Sequence, residues 1–101
     1  MNHLYRQGDI LLRRVERIPA GAKATSHTRL VIAEGEATGH HHLLTADVEE
    51  HLTADERFLR IMGANGLLTH EEHATITLPP GDYQVVRQVE YEPESVRYVA
   101  D

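Results

Sequence analysis

Short apolar runs, each closed by a turn signal, recur along this chain of 101 residues and most restrict its fold. "DILLRRVERI" (Asp9 to Ile18) stops at Pro19-Ala20-Gly21, and "RLVIAE" (Arg29 to Glu34) stops at Gly35. "RFLRIMG" ends at Gly63, and Asn65-Gly66 reads as a tight turn leading into "LLTH". "HATITL" reaches Pro79-Pro80-Gly81-Asp82, where Pro80 sets a turn and Gly81 accepts positive φ. "DYQVVRQVEYE" and "VRYVA" follow. Runs of Val, Ile, Leu and Thr at this spacing predict an all-β fold, a small β-barrel or sandwich with little helix, as a single domain over 1–101. The one helical turn expected is Thr53 to Leu59, with Thr53 as cap and Glu56 three residues on.

Composition narrows the chemistry. There is no cysteine, which removes disulfides, thiolate metal ligands and thiol nucleophiles together. No apolar run approaches the roughly 18 residues of a membrane span, and the first residues lack a signal-peptide layout, so a soluble, cytoplasmic chain with no membrane partner is expected. A core of this size is modest, and a homodimer would extend it. The net charge of -6 is uneven. Residues 1–30 carry six cations (Arg6, Arg13, Arg14, Arg17, Lys23, Arg29) against Asp9 and Glu16, a net of +4, while the remainder holds four Arg and fourteen carboxylates, a net of -10. Such a surface repels long nucleic acid but leaves room for a small anion at a local basic patch.

Two histidine clusters stand out. "TGHHH" contains His40, His41 and His42, and "THEEH" contains His70 and His73 around Glu71-Glu72. On a strand His40 and His42 share a face and His41 takes the other, with the like-facing Cα atoms roughly 6.5–7 Å apart. If the two segments are neighbours, four imidazoles and two carboxylates converge. His3, His27 and His51 read as idle surface residues. Two chemistries suit the clusters. One is a metal site of imidazole and carboxylate. His40-x-His42 and Pro79-x-Gly81 resemble the cupin pattern, but its glutamate is missing (the first carboxylate after His42 is Asp47) and Gln84 stands where its last histidine belongs. The other is metal-free acid–base cleavage of an RNA phosphodiester: one imidazole takes the 2′-OH proton and another protonates the leaving 5′-oxygen. Backbone N–H groups at Thr38-Gly39 could hold the phosphate in such a site.

"YRQGDILL", "AEGEATGHHH", "LTHEEHATITLPPGDY" and "RQVEYEP" together, from Tyr5 to Pro93, resemble a family of ring nucleases. These are small bacterial and phage proteins that degrade cyclic oligoadenylates, the second messengers of type III CRISPR defence. The resemblance implies a small dimeric β-barrel that needs no cofactor or metal. It implies cleavage of 3′–5′ phosphodiesters by the adjacent 2′-OH, leaving 2′,3′-cyclic phosphate ends. Carried over, the positions at stake are Arg6, His40, His42, His70, Glu72 and His73, of which the histidines and Glu72 are the expected catalytic set. The expected ligand-binding set is Arg6 with Arg13, Thr38, Gly39 and His41, the last four added from charge, backbone donors and position beside the cluster. Two positions depart from the pattern: His41 where a small residue is usual, and Val89 where an arginine is usual. A non-enzymatic β-barrel that binds a small ligand is the third reading.

Overall fold

The computed structural model describes residues 4–34, 40–87, 89–92 and 95–98. The described residues contain nine strands and no helix. In chain order they are β1 (Leu4–Gln7), β2 (Ile10–Val15), β3 (Lys23–Glu34), β4 (His41–Leu52), β5 (Arg57–Thr69), β6 (Ile76–Leu78), β7 (Gly81–Arg87), β8 (Val89–Glu92) and β9 (Ser95–Tyr98). Seven form one antiparallel sheet in the order β1-β2-β7-β5-β4-β3, with β6 also paired to β5; β8 and β9 form a separate pair. The expected all-β class is therefore observed. The sheet is open, ending on β1 and β3, and is not a closed barrel.

Irregularities in the long strands give the sheet its shape. Register shifts fall between His27 and Arg29 and between Val31 and Ala33 on β3, and between Thr45 and Asp47 on β4. Across from the last, β5 carries four residues (63–66) opposite Ala46 alone. Bulges of this kind bend a strand and sharpen its twist. Past the bulge β5 changes neighbour: Arg57 to Ile61 pair with β7, and Gly66 to Leu68 pair with β6. The bend folds the sheet over one core of Ile10, Leu12, Leu30, Ile32, Leu44, Val48, Leu59, Ile61, Leu68, Leu78 and Tyr83, drawn from both sides of the bulges. Arg57 shows how far the fold-over goes. It lies opposite Leu52, and Leu52 opposite Lys23, so Val31 sits eight residues further along β3, roughly 26 Å in a flat sheet. Yet its guanidinium donates to the carbonyls of Val31 (3.1 Å) and Ile32.

Three expectations change for physical reasons. Thr53 caps no helix. Pairing of β5 with both β4 and β7 begins at Arg57, which leaves residues 53–56 as a hairpin loop. There the Thr53 hydroxyl accepts from the N–H groups of Asp55 and Glu56, the local bond such a side chain offers in turns as well as at helix starts. Asn65-Gly66 is not a chain reversal, because β5 runs through it. The bend uses Gly63, at φ 72°, while Gly66 is needed for space: a Cβ there would lie 3.0 Å from the Ala46 Cβ and 3.1 Å from Leu44 Cδ1. Pro79-Pro80 likewise interrupts rather than reverses. β6 and β7 both run antiparallel to β5 along the same edge, and the two prolines, which lack N–H donors, lie across from the bulge, where no ladder exists to be broken.

Candidate functional site

The site begins at a tight turn. β1 and β2 form a hairpin with Gln7 opposite Ile10, so Gly8 and Asp9 make a two-residue loop. Gly8 has φ 61°, and among the described residues no non-glycine has positive φ, which matches the hairpin turn that needs glycine first. Tyr5 and Gln7 face the core and Arg6 faces out, by strand alternation. Gln7 is thereby buried, a costly place for an amide unless all its hydrogen bonds are made. They are. Its Nε2 donates to the carbonyls of Leu68 (2.9 Å) and Ala74 (3.0 Å), and its Oε1 lies 2.9 Å from His42 Nδ1. Gln7 thus bridges β1 to the end of β5 and to the loop beyond it.

β4 and the β5–β6 loop bring the imidazoles to the same end of the sheet. His42 faces inward beside Leu44 and is 1% exposed. Asp9 Oδ1 lies 3.5 Å from its Nε2. The His70 and His73 rings lie 4.4 Å and 6.1 Å from the His42 ring, the latter stacked, and 4.5 Å from each other. The His40 ring meets His70 edge-on at 5.7 Å, and its Nδ1 is 3.4 Å from Glu72 Oε1. Four imidazoles from two segments thirty residues apart in sequence therefore share one locus, with His40, His70 and His73 half-buried at its rim and His42 beneath. The loop is also fixed from within: the Glu72 N–H donates to His70 Nδ1 (3.0 Å), which places the proton of the neutral His70 ring on Nε2. The His41 N–H donates to Glu71 Oε1 (2.9 Å), binding the start of β4 to the loop. This bond, with the Glu71 N–H and the nearby His70 and His40, holds the Glu71 carboxyl below its ordinary value.

The remaining expected residues fall elsewhere. His41 points to the opposite face from His42 and lines a groove of about 410 Å³ with Arg29, Val31, Leu43, Thr69, His70 and Glu71; its Nδ1 is buried without a hydrogen-bond partner. Arg6 is exposed on the outward face of β1, away from Gln7 and the imidazoles. Arg13 is also outward-facing, and its guanidinium bonds Gln84. Neither joins the imidazoles within the protomer. Thr38, Gly39 and His3 lie outside the described residues, as does the side chain of Val89. His27 and His51 make local contacts with Thr25 and Glu49. Among the described residues no group of three or more His, Cys, Asp or Glu has the spacing to hold a metal ion. Sequence reading missed Gln7 and Asp9. The available signal was alternation: with Tyr5 facing the core, Gln7 two residues on must face it too.

Fold and site together define an all-β domain on one curled antiparallel sheet, with a histidine cluster gathered at one end of it. The chain belongs to the family described as "Domain of unknown function (DUF8820)", which matches residues 6–88 and so includes Gln7, Asp9 and all the clustered histidines. No curated protein and no solved structure matches it.

Proposed function

We propose that this protein is a ring nuclease that cleaves cyclic oligoadenylates by metal-independent histidine acid–base chemistry. The observation that carries the reading is the convergence of His40, His70 and His73 at one rim over His42. Cleavage of an RNA linkage by its own 2′-OH needs a base for the hydroxyl proton, an acid for the leaving 5′-oxygen and donors for the charge that builds on the phosphate. Imidazole suits the first two because it changes charge near neutral pH. In this reading His40, oriented by Glu72, and His73 exchange the two protons. His70, its Nδ1 occupied by the Glu72 N–H, offers Nε2–H to a phosphate oxygen. The 2′-OH oxygen bonds to phosphorus as the P–O5′ bond breaks, leaving a 2′,3′-cyclic phosphate and a free 5′-OH. His42 is too buried to reach substrate and serves from beneath. Arg6 and Arg13, on the outer face of the β1–β2 hairpin, would meet the substrate across a homodimer. A cyclic oligoadenylate is small and anionic and carries its own nucleophile, so an acidic chain needs only a local site to hold it, and its messenger role places the enzyme in the cytoplasm.

The test is incubation with cyclic tetra- and hexa-adenylate in EDTA. The expected result is linear product, with His40→Ala and His73→Ala each lowering the rate about 10²-fold or more. Intact rings, or cleavage abolished by EDTA, would overturn the reading.

A further inference from the structure

The two residues that flank Gly8 both reach the same imidazole, one at each nitrogen. Gln7 Oε1 is 2.9 Å from His42 Nδ1 and Asp9 Oδ1 is 3.5 Å from Nε2. The amide cannot be turned round. Both N–H bonds of Gln7 are used on backbone carbonyls, Leu68 and Ala74, which only accept. Its oxygen must therefore face His42, and a carbonyl oxygen at that distance calls for an N–H donor. Leu68 and Ala74 also bracket the segment 69–73 that carries His70, Glu72 and His73.

We propose that the Gln7-Gly8-Asp9 turn is a positioning clamp for the imidazole cluster. Gln7 holds His42 with a proton on Nδ1 in every state of the ring and ties down both ends of the His70–His73 loop. Nε2, beside Asp9, is then the one nitrogen at which His42 gains or loses a proton. Among the groups that face His42 are Gln7 and Asp9 from the β1–β2 turn and His70 and His73 from the loop. A proton on Nε2 places a cation opposite the Asp9 carboxylate and directly under the two rim imidazoles, so the clamp sets both the position and the electrostatic floor of the site. Gln7 touches no substrate: it is a positioning residue acting through His42 and the loop. That catalytic role rests on the function proposed above, whereas the tautomer does not.

The experiment is long-range ¹⁵N–¹H correlation spectroscopy of the full chain labelled in histidine, from about pH 5 to 8, with His42 assigned by the signals lost in His42→Leu. The expected spectrum keeps Nδ1 at the shift of a protonated nitrogen throughout, with only Nε2 moving. A lone-pair shift at Nδ1 anywhere in that range overturns the clamp. In Gln7→Met the preference for Nδ1–H should disappear, and a folded Gln7→Met protein with the wild-type tautomer also overturns it. Gln7→Glu still accepts from Nδ1 but presents an oxygen to Leu68 and Ala74, so it should keep the tautomer while shifting the His70 and His73 signals; unchanged His70 and His73 signals overturn the tie to the loop. If Gln7→Met does not fold, the wild-type and Gln7→Glu spectra decide. In the cleavage assay Gln7→Met should lower kcat about 10²-fold while KM stays within about twofold, and an unchanged kcat overturns the positioning role. A wild-type protein that shows the clamp but leaves the rings intact would sink the proposed function and leave the tautomer assignment standing.

Discussion

Replacing His42 by leucine isolates the worth of the buried hydrogen bond beneath the site. The two side chains are close in size, so the cavity term is small. What is lost is the donor to Gln7 Oε1, in a residue only 3% exposed, together with the contact between Nε2 and Asp9. A buried acceptor left without a partner costs about 1–3 kcal/mol. In a chain of this length each kcal/mol moves Tm by about 4–8 °C, so His42→Leu should lower Tm by roughly 5–20 °C. The second mutation supplies the control. Gln7→Leu removes the stranded acceptor, and in that background His42→Leu should cost less than in the wild type, because only the Asp9 contact is then left to lose. The cycle of wild type, two singles and double, followed by urea denaturation, should therefore show a coupling of about 1 kcal/mol or more. An additive cycle, or a His42→Leu protein as stable as the wild type, would refute the argument that this bond organises the end of the sheet.

Other perturbations test separate parts of the structure. Gly66→Ala puts a Cβ 3.0 Å from the Ala46 Cβ and should cost about 1–3 kcal/mol by overpacking, with Ala46→Gly recovering part of it; a neutral Gly66→Ala in thermal melts would contradict the close approach of β4 and β5 at the bulge. Glu71 has a lowered pKa, so the stability from its bond to the His41 N–H is present above the ordinary value of 4.5 and lost as pH falls through the lower folded value. The Tm difference between wild type and Glu71→Ala should therefore narrow as pH falls below 4.5, and a gap that widens there would show that another group holds the loop. Tyr83→Phe removes a buried hydroxyl that donates to the Pro79 carbonyl at 2.6 Å and should cost about 0.5–1.5 kcal/mol by denaturant titration; no loss would remove that bond from the account.

Local pattern exposes some of this structure and hides the rest. The strands are legible because each apolar run buries alternate residues, as Ile10 and Leu12 do on β2. The nearness of His40 to His42 follows from sequence adjacency, although β4 begins only at His41, and the grouping of His70 with His73 beside a strand break is legible as well. Punctuation is less reliable. Asn65-Gly66 and Thr53 carry the residue types of a reversal and a helix cap, yet the same types serve a bulge and a hairpin loop, and only pairing on both sides of β5 decides between them. Charge misleads in another way. Arg6 attracts attention as a cation, but alternation turns it outward and buries its neighbour Gln7. The partners of Gln7 at Leu68 and Ala74 are 61 and 67 residues away, a separation at which no local pattern operates.

The most direct test of the central claim is ³¹P spectroscopy of cyclic tetra-adenylate incubated with the metal-stripped protein in excess chelator. Metal-free attack by the 2′-OH predicts that the phosphodiester signal of the ring gives way to that of a 2′,3′-cyclic phosphate end. A ring signal that persists, or a product that ends in an open monophosphate without passing through the cyclic form, would contradict it.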